Sequence, residues 1–323
     1  MNEYRMTQKL MGSIFELIII VKDEASANHH LTEGVTKIKH IEDELSEFKD
    51  HSATHLINKN AGIKSIKVSD DVFSIIKRSN QISELTQGAF DISVGPLKKI
   101  YNFKNEEFKF PSAEKIKEAL DLVGFNHIFT DELKKEVYLS KSNMHISFAA
   151  IGKGYAADCV KKLWQNSGIT SGVISASGDL TTFGVRHDGS PWQVGIADPD
   201  SKDGILFFIP LTNASIATSG DAEQFFVNNG IRYSHNINPI TGKPISGIKS
   251  VSVIGRTAEL ADALATAVYV MGKDVGIHFI NQLPETHCII IDDLNRTHCS
   301  KTVSYTHLRA HETKANLVCR LLL

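Results

Sequence analysis

The segment Arg256–Gly272 reads RTAELADALATAVYVMG and determines how the C-terminal half of the chain is interpreted. Small and apolar residues fill it, and Gly272 stands where a C-cap is expected, so the pattern predicts one helix. Asp262 and Thr266 interrupt this helix four residues apart, which places them on one face. Their oxygens suit a hard cation such as Mg²⁺, but a buried Asp capping a loop and a Thr bonded to its own helix fit as well. Taken alone, the pair favours the second interpretation.

Length and composition restrict the class of protein. The chain has 323 residues, 42% hydrophobic and 22% charged, which is ordinary for a globular protein of one large domain or two lobes. A net charge of −2 argues against a dedicated nucleic-acid binder. The four cysteines lack CxxC spacing and predict neither a zinc site nor a disulfide framework.

One early apolar run bears on localisation. Leu17–Val21 is too short to span a membrane and has no basic region or cleavage site around it, so it predicts a strand. As written, the chain is expected to be cytoplasmic, or exported if its N-terminus is incomplete.

Hydrophobic periodicity outlines the elements on either side. Helices are predicted over 32–48, from a Ser69 cap to about Leu85, and over 112–122. Beyond residue 173, short strands alternate with Gly turns, and Asn229-Gly230 marks a hairpin. The predicted fold class is therefore α+β, with mixed or antiparallel sheets and packed helices.

A Gly-rich turn lies between a predicted strand at 145–148 and a predicted helix at 155–164. Free N–H groups at a helix N-terminus attract anions, and Lys153 adds a cation there. Gly152, Gly154 and Ala157 also match GxGxxA, but the antiparallel pattern that follows does not fit a dinucleotide-binding fold. An anion site is therefore favoured over a dinucleotide site.

Two further polar positions invite a role. Asp91 lies within an apolar run and is either a structural hydrogen-bond hub or a ligand contact, with the structural role favoured. His235 opens the segment HNINPITGKP, which two prolines and a glycine stiffen. A rigid loop dense in polar groups is more often a site than a linker, although a single histidine usually is not one.

Taken together, these loops resemble one family, the flavin transferases of the ApbE type. The matching stretches run in order from Met11 to about Val303: MGSIFEL, LSEF, TQGAFDISVGPL, AIGKGYAAD, SASGD, IATSGD, YSHNINPITGKP and AELADALATAVYVMG. The resemblance implies a two-lobed fold with an FAD cleft between the lobes, and Mg²⁺-dependent transfer of FMN from FAD to a Thr or Ser hydroxyl of an acceptor flavoprotein, with release of AMP.

The resemblance also assigns roles to residues. Asp262 and Thr266 would bind Mg²⁺, helped by the backbone carbonyl near Ala150, and Asp262 and His235 are the candidates for catalysis. The flavin and its pyrophosphate would contact Met11, Phe48, Asp91, Gly152, Lys153, Gly154, Ser177, Gly178, Asp179, Thr218, Ser219, Gly220, His235 and Thr241.

The chain departs from the family pattern at a few positions. Asn236, Asn238 and Ile240 replace residues that are often Ile, Asp and Arg, and Ala149 and Ala150 stand where glycines are common. Three alternatives accompany the main hypothesis. A metal-dependent FAD pyrophosphatase would use the same site with water as the nucleophile, a flavin-binding protein without turnover is supported by the altered histidine loop, and an NAD-dependent oxidoreductase rests on GxGxxA.

The C-terminal segment does not fit this pattern. Residues 304–323, SYTHLRAHETKANLVCRLLL, lack an amphipathic period and follow a natural stop. We expect residues 1–303 to form a single flavin transferase domain and residues 304–323 to be a non-native tail.

Overall fold

The computed structural model describes residues 1–101, 103, 110–201, 204–221 and 225–301. The chain forms two compact units. Unit 1 comprises Met1–Ile41, Ile151–Ala222 and Gly247–Leu323, and unit 2 comprises Glu42–Ala150 and Glu223–Ser246. The predicted tail at 304–323 lies outside the described residues, and the single domain over 1–303 stays a prediction.

The strands of the described residues are mostly short and concentrated in unit 1. They are β1 (Asn2–Leu10), β2 (Ser13–Val21), β3 (Ile66–Lys67), β4 (Ile128–Asp131), β5 (Glu136–Leu139), β6 (Gly172–Ala176), β7 (Asp179–Phe183), β8 (Trp192–Ala197), β9 (Ile205–Leu211), β10 (Ser215–Gly220), β11 (Phe225–Asn228), β12 (Ile231–Ser234), β13 (Ile248–Gly255), β14 (His287–Asp292) and β15 (Thr297–Cys299).

The helices vary more in length. They are α1 (Glu24–Leu45), α2 (Ala53–Lys59), α3 (Asp70–Leu85), α4 (Gly95–Ile100), α5 (Ala113–Leu120), α6 (Gly152–Asn166), α7 (Ala258–Met271) and α8 (Lys273–Ile280), with a 3₁₀ turn at Phe125–His127. Within the described ranges, no helix is both long and apolar enough to cross a membrane.

Unit 1 is built on an eight-stranded sheet in the order β1-β2-β6-β7-β10-β13-β14-β15. Every neighbouring pair in this sheet is antiparallel. The α+β class with antiparallel sheets is therefore confirmed, and the parallel sheet that GxGxxA would require is absent from the described strands of this unit.

Both faces of this sheet are covered, which explains why β13 is buried along its whole length. On one face, Ile18, Leu180 and Ile216 form a core with the antiparallel pair β8–β9. Side chains alternate between the faces of a strand, so Leu17 points the other way, towards Gly34 of α1. A Cβ on Gly34 would lie only 2.8 Å from Leu17 Cδ2, so helix and sheet approach closely there.

Unit 2 carries a three-stranded sheet in the order β3-β5-β4 and the hairpin β11–β12. The hairpin turns at Asn229-Gly230, whose φ angles of 51° and 76° match the type I′ turn that this dipeptide favours. Phe226 and Tyr233 stack across the hairpin with ring centroids 5.1 Å apart. The predicted hairpin is thus confirmed.

Several local predictions can be compared with the structure. Helix α3 begins after the Ser69 N-cap and ends at Leu85, as predicted. The predicted strand at 145–148 is wrong, because this segment pairs with no described strand. Its backbone bonds instead to the side chain of Asn58 and, through Ser147 N–H, to the Ile92 carbonyl at 2.8 Å. The Asn58 amide oxygen accepts from Ile146 N–H (2.8 Å), and its NH₂ group donates to the Ile146 carbonyl (2.9 Å).

Candidate active site

Helix α7 carries Asp262 and Thr266, and it begins and ends as the sequence predicts. Thr257 is its N-cap and Gly272, with φ 84°, its C-cap. Asp262 is 5% exposed and Thr266 is half-buried. Both side chains are thus held on one face of a helix whose ends are fixed.

The N-terminus of α7 is attached to α6 by a second acid. Both carboxylate oxygens of Asp158 accept hydrogen bonds, from Ala258 N–H (3.1 Å) and from Glu259 N–H (2.8 Å). These two N–H groups belong to the first turn of α7, where the helix itself supplies no acceptor. Burial nevertheless raises the pKa of Asp158 to about 6. Sequence reasoning gave Asp158 no role, although it lies in the quoted AIGKGYAAD stretch.

Gly154 lets the two helices approach closely. A Cβ at this position would lie 2.3 Å from the Ala258 carbonyl oxygen, a distance that real Cβ atoms do not reach. The Gly154 N–H donates to Asp262 Oδ2 at 3.2 Å. One of the α6 N-terminal donors predicted to hold an anion therefore holds the side chain of Asp262.

Lys153 and Asp179 place a second carboxylate in this cluster. Lys153 Nζ lies 2.5 Å from Asp179 Oδ2, and Asp179 Oδ1 accepts from Thr218 N–H at 3.1 Å. Burial raises the pKa of the Asp262 carboxyl well above its usual range, the charge of Asp179 raises it further, and Lys153 opposes both. Two buried carboxylates thus share the influence of one ammonium group.

Hydroxyl groups extend the cluster along β10. Thr266 Oγ1 and Ser219 Oγ are 2.9 Å apart, and Thr218 Oγ1 and Ser252 Oγ are 2.8 Å apart. Gly220 ends the same strand opposite Ser250. The structure therefore brings together in unit 1 the predicted residues Gly152, Lys153, Gly154, Asp179, Thr218, Ser219, Gly220, Asp262 and Thr266.

The donors of this cluster fit a hard divalent cation. Asp262 contributes a carboxylate and Thr266 a hydroxyl, and Mg²⁺ takes oxygen ligands of both kinds. A pair of buried carboxylates with one lysine carries excess negative charge when ionised, which a bound dication would neutralise. Asp262 and Thr266 therefore offer a pair of oxygen donors in unit 1 that could hold Mg²⁺.

Two tight turns lie beside one another at one end of the unit 1 sheet. Met11-Gly12 joins β1 to β2 and Ser177-Gly178 joins β6 to β7, with positive φ angles at all four residues. Ser177 Oγ accepts from Ile14 N–H at 3.1 Å, and Ser177 N–H donates to the Ile14 carbonyl at the same distance. The predicted flavin contacts Met11, Ser177 and Gly178 are thus neighbouring turn residues.

Asp91 in unit 2 is surrounded by protein donors. Its Oδ1 accepts from the N–H and the hydroxyl of Ser93 at 2.8 and 2.7 Å, and its Oδ2 accepts from Phe125 N–H at 2.8 Å. Burial raises the pKa of Asp91 although these bonds oppose the shift. The contacts favour the structural role, and contact of Asp91 with the flavin stays a prediction.

The His235 loop is a compact hairpin of unit 2. Ser234 N–H donates to the Ile245 carbonyl (2.8 Å), and the Asn238 side chain accepts from Ile240 N–H (2.8 Å) and Thr241 N–H (3.0 Å). Asn238, where the family often has Asp, therefore supplies a side-chain oxygen that closes this turn. His235 is half-buried and Thr241 is exposed. Backbone and side-chain hydrogen bonds thus define the shape of this loop, and its rigidity stays a prediction.

The remaining unit 2 candidates differ in exposure. Phe48 is 86% exposed and follows the end of α1, and Ala150 is half-buried and directly precedes Ile151 and the first turn of α6. The assignments of Phe48 to the flavin and of Ala150 to the metal stay predictions.

One polar network in unit 2 was not anticipated. His145 Nε2 lies 2.7 Å from Glu47 Oε2, and Lys99 Nζ lies 3.2 Å from His145 Nδ1. Because an ammonium group only donates, His145 Nδ1 accepts and its Nε2–H donates to Glu47. Burial works against ionisation, but the bonds from His145 and Ser147 hold the pKa of Glu47 below its usual range. This network orders the segment that leads to Ala150.

Comparisons with known proteins agree with the motifs. The model of the ApbE family matches residues 11–290. A curated FAD:protein FMN transferase of Vibrio cholerae is 27% identical over 301 residues, covering 90% of this chain and 89% of that protein. One from Escherichia coli K12 is 32% identical over 273 residues, covering 82% and 78%. The crystal structure of the ApbE protein of Thermotoga maritima superimposes with a TM-score of 0.85 at 30% identity, covering 94% of this chain and 98% of that one.

Proposed function

The chain belongs to the ApbE family, and from this premise we propose that it transfers FMN from FAD to a Thr or Ser hydroxyl of an acceptor flavoprotein and releases AMP. Its curated relatives in Vibrio cholerae and Escherichia coli are named FAD:protein FMN transferase, which supports flavin transfer as the reaction class. The observation that carries the proposal is the cluster of buried Asp262 and Asp179 with the half-buried Lys153, which brings oxygen ligands and a cation to the N-terminus of α6.

The metal belongs to this proposal. Asp262 and Thr266 would hold Mg²⁺ with the carbonyl of Ala150, and the ion would supply charge neutralisation to the phosphoryl oxygens of FAD. Asp262 is fixed for this task by the Gly154 N–H bond to its Oδ2. Burial and the charge of Asp179 raise the pKa of the Asp262 carboxyl, and a bound dication would favour its ionised form.

Lys153 is proposed to contact the pyrophosphate. Its ammonium group already lies 2.5 Å from Asp179, so a phosphate would share or replace that partner. Because Asp179 holds the ammonium group until a phosphate takes its place, Lys153 is oriented before the substrate binds. Asp179 is then a positioning residue for Lys153, and its other oxygen is fixed by Thr218 N–H.

The chemical step is a displacement at phosphorus. The acceptor oxygen bonds to the phosphorus of the FMN half, the bond from that phosphorus to the bridging oxygen breaks, and AMP leaves with the bridging oxygen. The hydroxyl proton passes to a base, for which His235 is the proposed group and Asp262 the second candidate. The hydrogen-bonded hairpin around Asn238 would hold His235 in position.

Hydrolysis of FAD by the same groups is the main competing reaction, since only the nucleophile differs. We test this with the full chain, FAD and Mg²⁺, in the presence and absence of an FMN-binding domain that carries a Thr-containing acceptor motif. Production of AMP that requires the acceptor, without free FMN, is the expected result. Equal amounts of AMP and free FMN without an acceptor would favour a pyrophosphatase, and bound FAD without AMP a flavin-binding protein.

A further inference from the structure

A second group of metal-binding side chains lies on α1, apart from the acidic residues of α7. His29, His30 and Glu33 each offer a ligand atom, and these three atoms lie within 4.8 Å of one another. We propose that this His-His-Glu cluster binds a divalent transition-metal ion of the zinc class. The proposal does not depend on flavin transfer.

The spacing of the three residues on a helix brings them together. Glu33 is three residues after His30 and four after His29, so its carboxylate can reach both imidazoles. Glu33 Oε2 lies 3.1 Å from His30 Nδ1 and 3.5 Å from His29 Nε2. Two ligand atoms about 2.1 Å from one ion are roughly 3 to 3.5 Å apart, so both distances already suit a shared ion.

The backbone that carries the ligands is held firmly against the rest of unit 1. The indole N–H of the fully buried Trp164 donates to the His30 carbonyl at 2.8 Å. Gly34, directly after Glu33, approaches so closely that a Cβ would lie 3.1 Å from both Trp164 and Val160. Only the side chains of the cluster would have to move, which keeps the cost of assembling the site small.

The surroundings leave room to complete the coordination shell. A surface cavity of about 560 Å³ lies beside the cluster and is lined by His29, Glu33, Thr32 and His40, among others. Water can therefore occupy the remaining positions around an ion. Lys37 also lines this cavity and is the one cation there that opposes a metal among the lining residues that the structure describes.

The donor set selects the class of ion. Imidazole nitrogen suits Zn²⁺, Ni²⁺ and Cu²⁺, whereas Mg²⁺ prefers a shell of oxygen ligands. The ion would take the place of the hydrogen that bridges His30 Nδ1 and Glu33, and that imidazole would carry its proton on Nε2 instead. The His-His-Glu cluster and the pair of Asp262 and Thr266 should therefore bind different metals.

The test is a titration of the full chain with Zn²⁺ in excess Mg²⁺, which occupies the hard-cation site. We compare the wild type with His29→Gln, with the double variant His29→Gln/His30→Gln, and with the control His278→Gln, an exposed histidine on α8. We expect the double variant to bind one Zn²⁺ fewer per chain, the single variant to bind that ion at least about tenfold more weakly, and the control to match the wild type.

A stability measurement keeps the test independent of ion counting. An ion bound only to the folded state raises the melting temperature, so Zn²⁺ should stabilise the wild type and the control more than either variant. His29 is 66% exposed, so His29→Gln should fold normally without Zn²⁺. The same stoichiometry, affinity and Zn²⁺-dependent melting shift in all four proteins would overturn the proposal.

Discussion

At the residue scale, the charge on Asp262 is the property most closely tied to function. A carboxylate with 5% exposure and a second acid beside it is expensive to ionise unless a cation is present. Lys153 supplies part of that positive charge and also contacts Asp179. The cluster is therefore less stable without its metal than a neutral version would be, and this difference can be measured.

Replacing Asp262 by Asn separates stability from activity. The amide oxygen can still accept from Gly154 N–H, and the repulsion from Asp179 disappears, so Asp262→Asn should be at least as stable as the metal-free wild type. Loss of the charged ligand should lower turnover by more than about 100-fold and abolish the response to Mg²⁺. Calorimetry measures the stability, and an AMP assay with and without Mg²⁺ measures the turnover.

The control for this substitution is Asp274→Asn on α8, whose side chain is 92% exposed. This control substitution should leave both the stability and the Mg²⁺-dependent turnover unchanged. An Asp262→Asn protein that is folded, active and still stimulated by Mg²⁺ would contradict the assignment of Asp262 as a ligand.

Lys153 gives a prediction about substrate affinity. Lys153→Met removes the cation proposed to contact the pyrophosphate, so FAD should bind at least about tenfold more weakly, while FMN, which lacks the second phosphate, should be affected less. Fluorescence titration with the two flavins measures the difference. Lys162→Met, an exposed lysine on the same helix, is the control. Equal weakening of FAD and FMN would place Lys153 near the isoalloxazine ring instead.

At the scale of elements, the contact between α6 and α7 determines whether the cluster forms. Gly154 allows the close approach, and Asp158 caps the first turn of α7. Both features connect residues about one hundred positions apart in sequence. Disturbing either one should therefore affect stability and metal binding together.

Gly154→Ala tests the close approach. The added methyl group would meet the Ala258 backbone at 2.3 Å, and backbone cannot move aside as a flexible side chain can. We expect a loss of about 1 to 3 kcal/mol in the free energy of unfolding and weaker Mg²⁺ binding. Gly255→Ala, where a Cβ meets no atom within 4 Å, should be neutral. Indistinguishable denaturation curves for the two variants would refute the packing argument.

Asp158 makes stability depend on pH in a defined direction. Its pKa in the folded protein is about 6, above its ordinary value of 3.8, so the folded state binds the proton more tightly than the unfolded chain does. This contribution to stability is therefore full below about pH 4 and is lost as the pH rises through 6.

The pH prediction is tested against Asp158→Asn, which cannot titrate at this position. Between pH 4 and pH 7 the free energy of unfolding of the wild type should fall relative to the variant by about 2 kcal/mol. Urea denaturation of both proteins at several pH values measures this change. Subtracting the variant's values from those of the wild type removes the contribution of the other titrating groups. Parallel pH profiles would show that Asp158 is not buried as described.

At the scale of the whole molecule, the elements that can be predicted from the sequence are those determined by residues close together in the chain. Helix α7 follows from its apolar content and its Gly272 cap, and the β11–β12 hairpin follows from Asn229-Gly230. Strand β1 is not predicted from the sequence, because its residues, NEYRMTQKL, are mostly polar and contain no apolar run. The predicted strand at 145–148 is wrong because its backbone bonds to the side chain of Asn58 and to the Ile92 carbonyl, and hydrophobic periodicity cannot predict such partners.

In the candidate site, too, some contacts follow from local sequence and others depend on the topology of the fold. Asp262 and Thr266 can be paired from their spacing on a helix, but Lys153 and Asp179 lie 26 residues apart and meet only through the arrangement of α6 and β7. The two units are each assembled from separated stretches of sequence, so such contacts depend on topology. Family motifs identified these residues, and the structure identifies their partners.

The central claim is that the phosphoryl group of FMN becomes attached to a protein hydroxyl. Intact-mass spectrometry of an FMN-binding acceptor domain, incubated with the full chain, FAD and Mg²⁺, measures this directly. We predict a mass increase equal to FMN less one water, absent when Mg²⁺ is chelated and absent when the acceptor Thr is replaced by Val. An acceptor of unchanged mass, while AMP and free FMN accumulate in the same mixture, would contradict the claim.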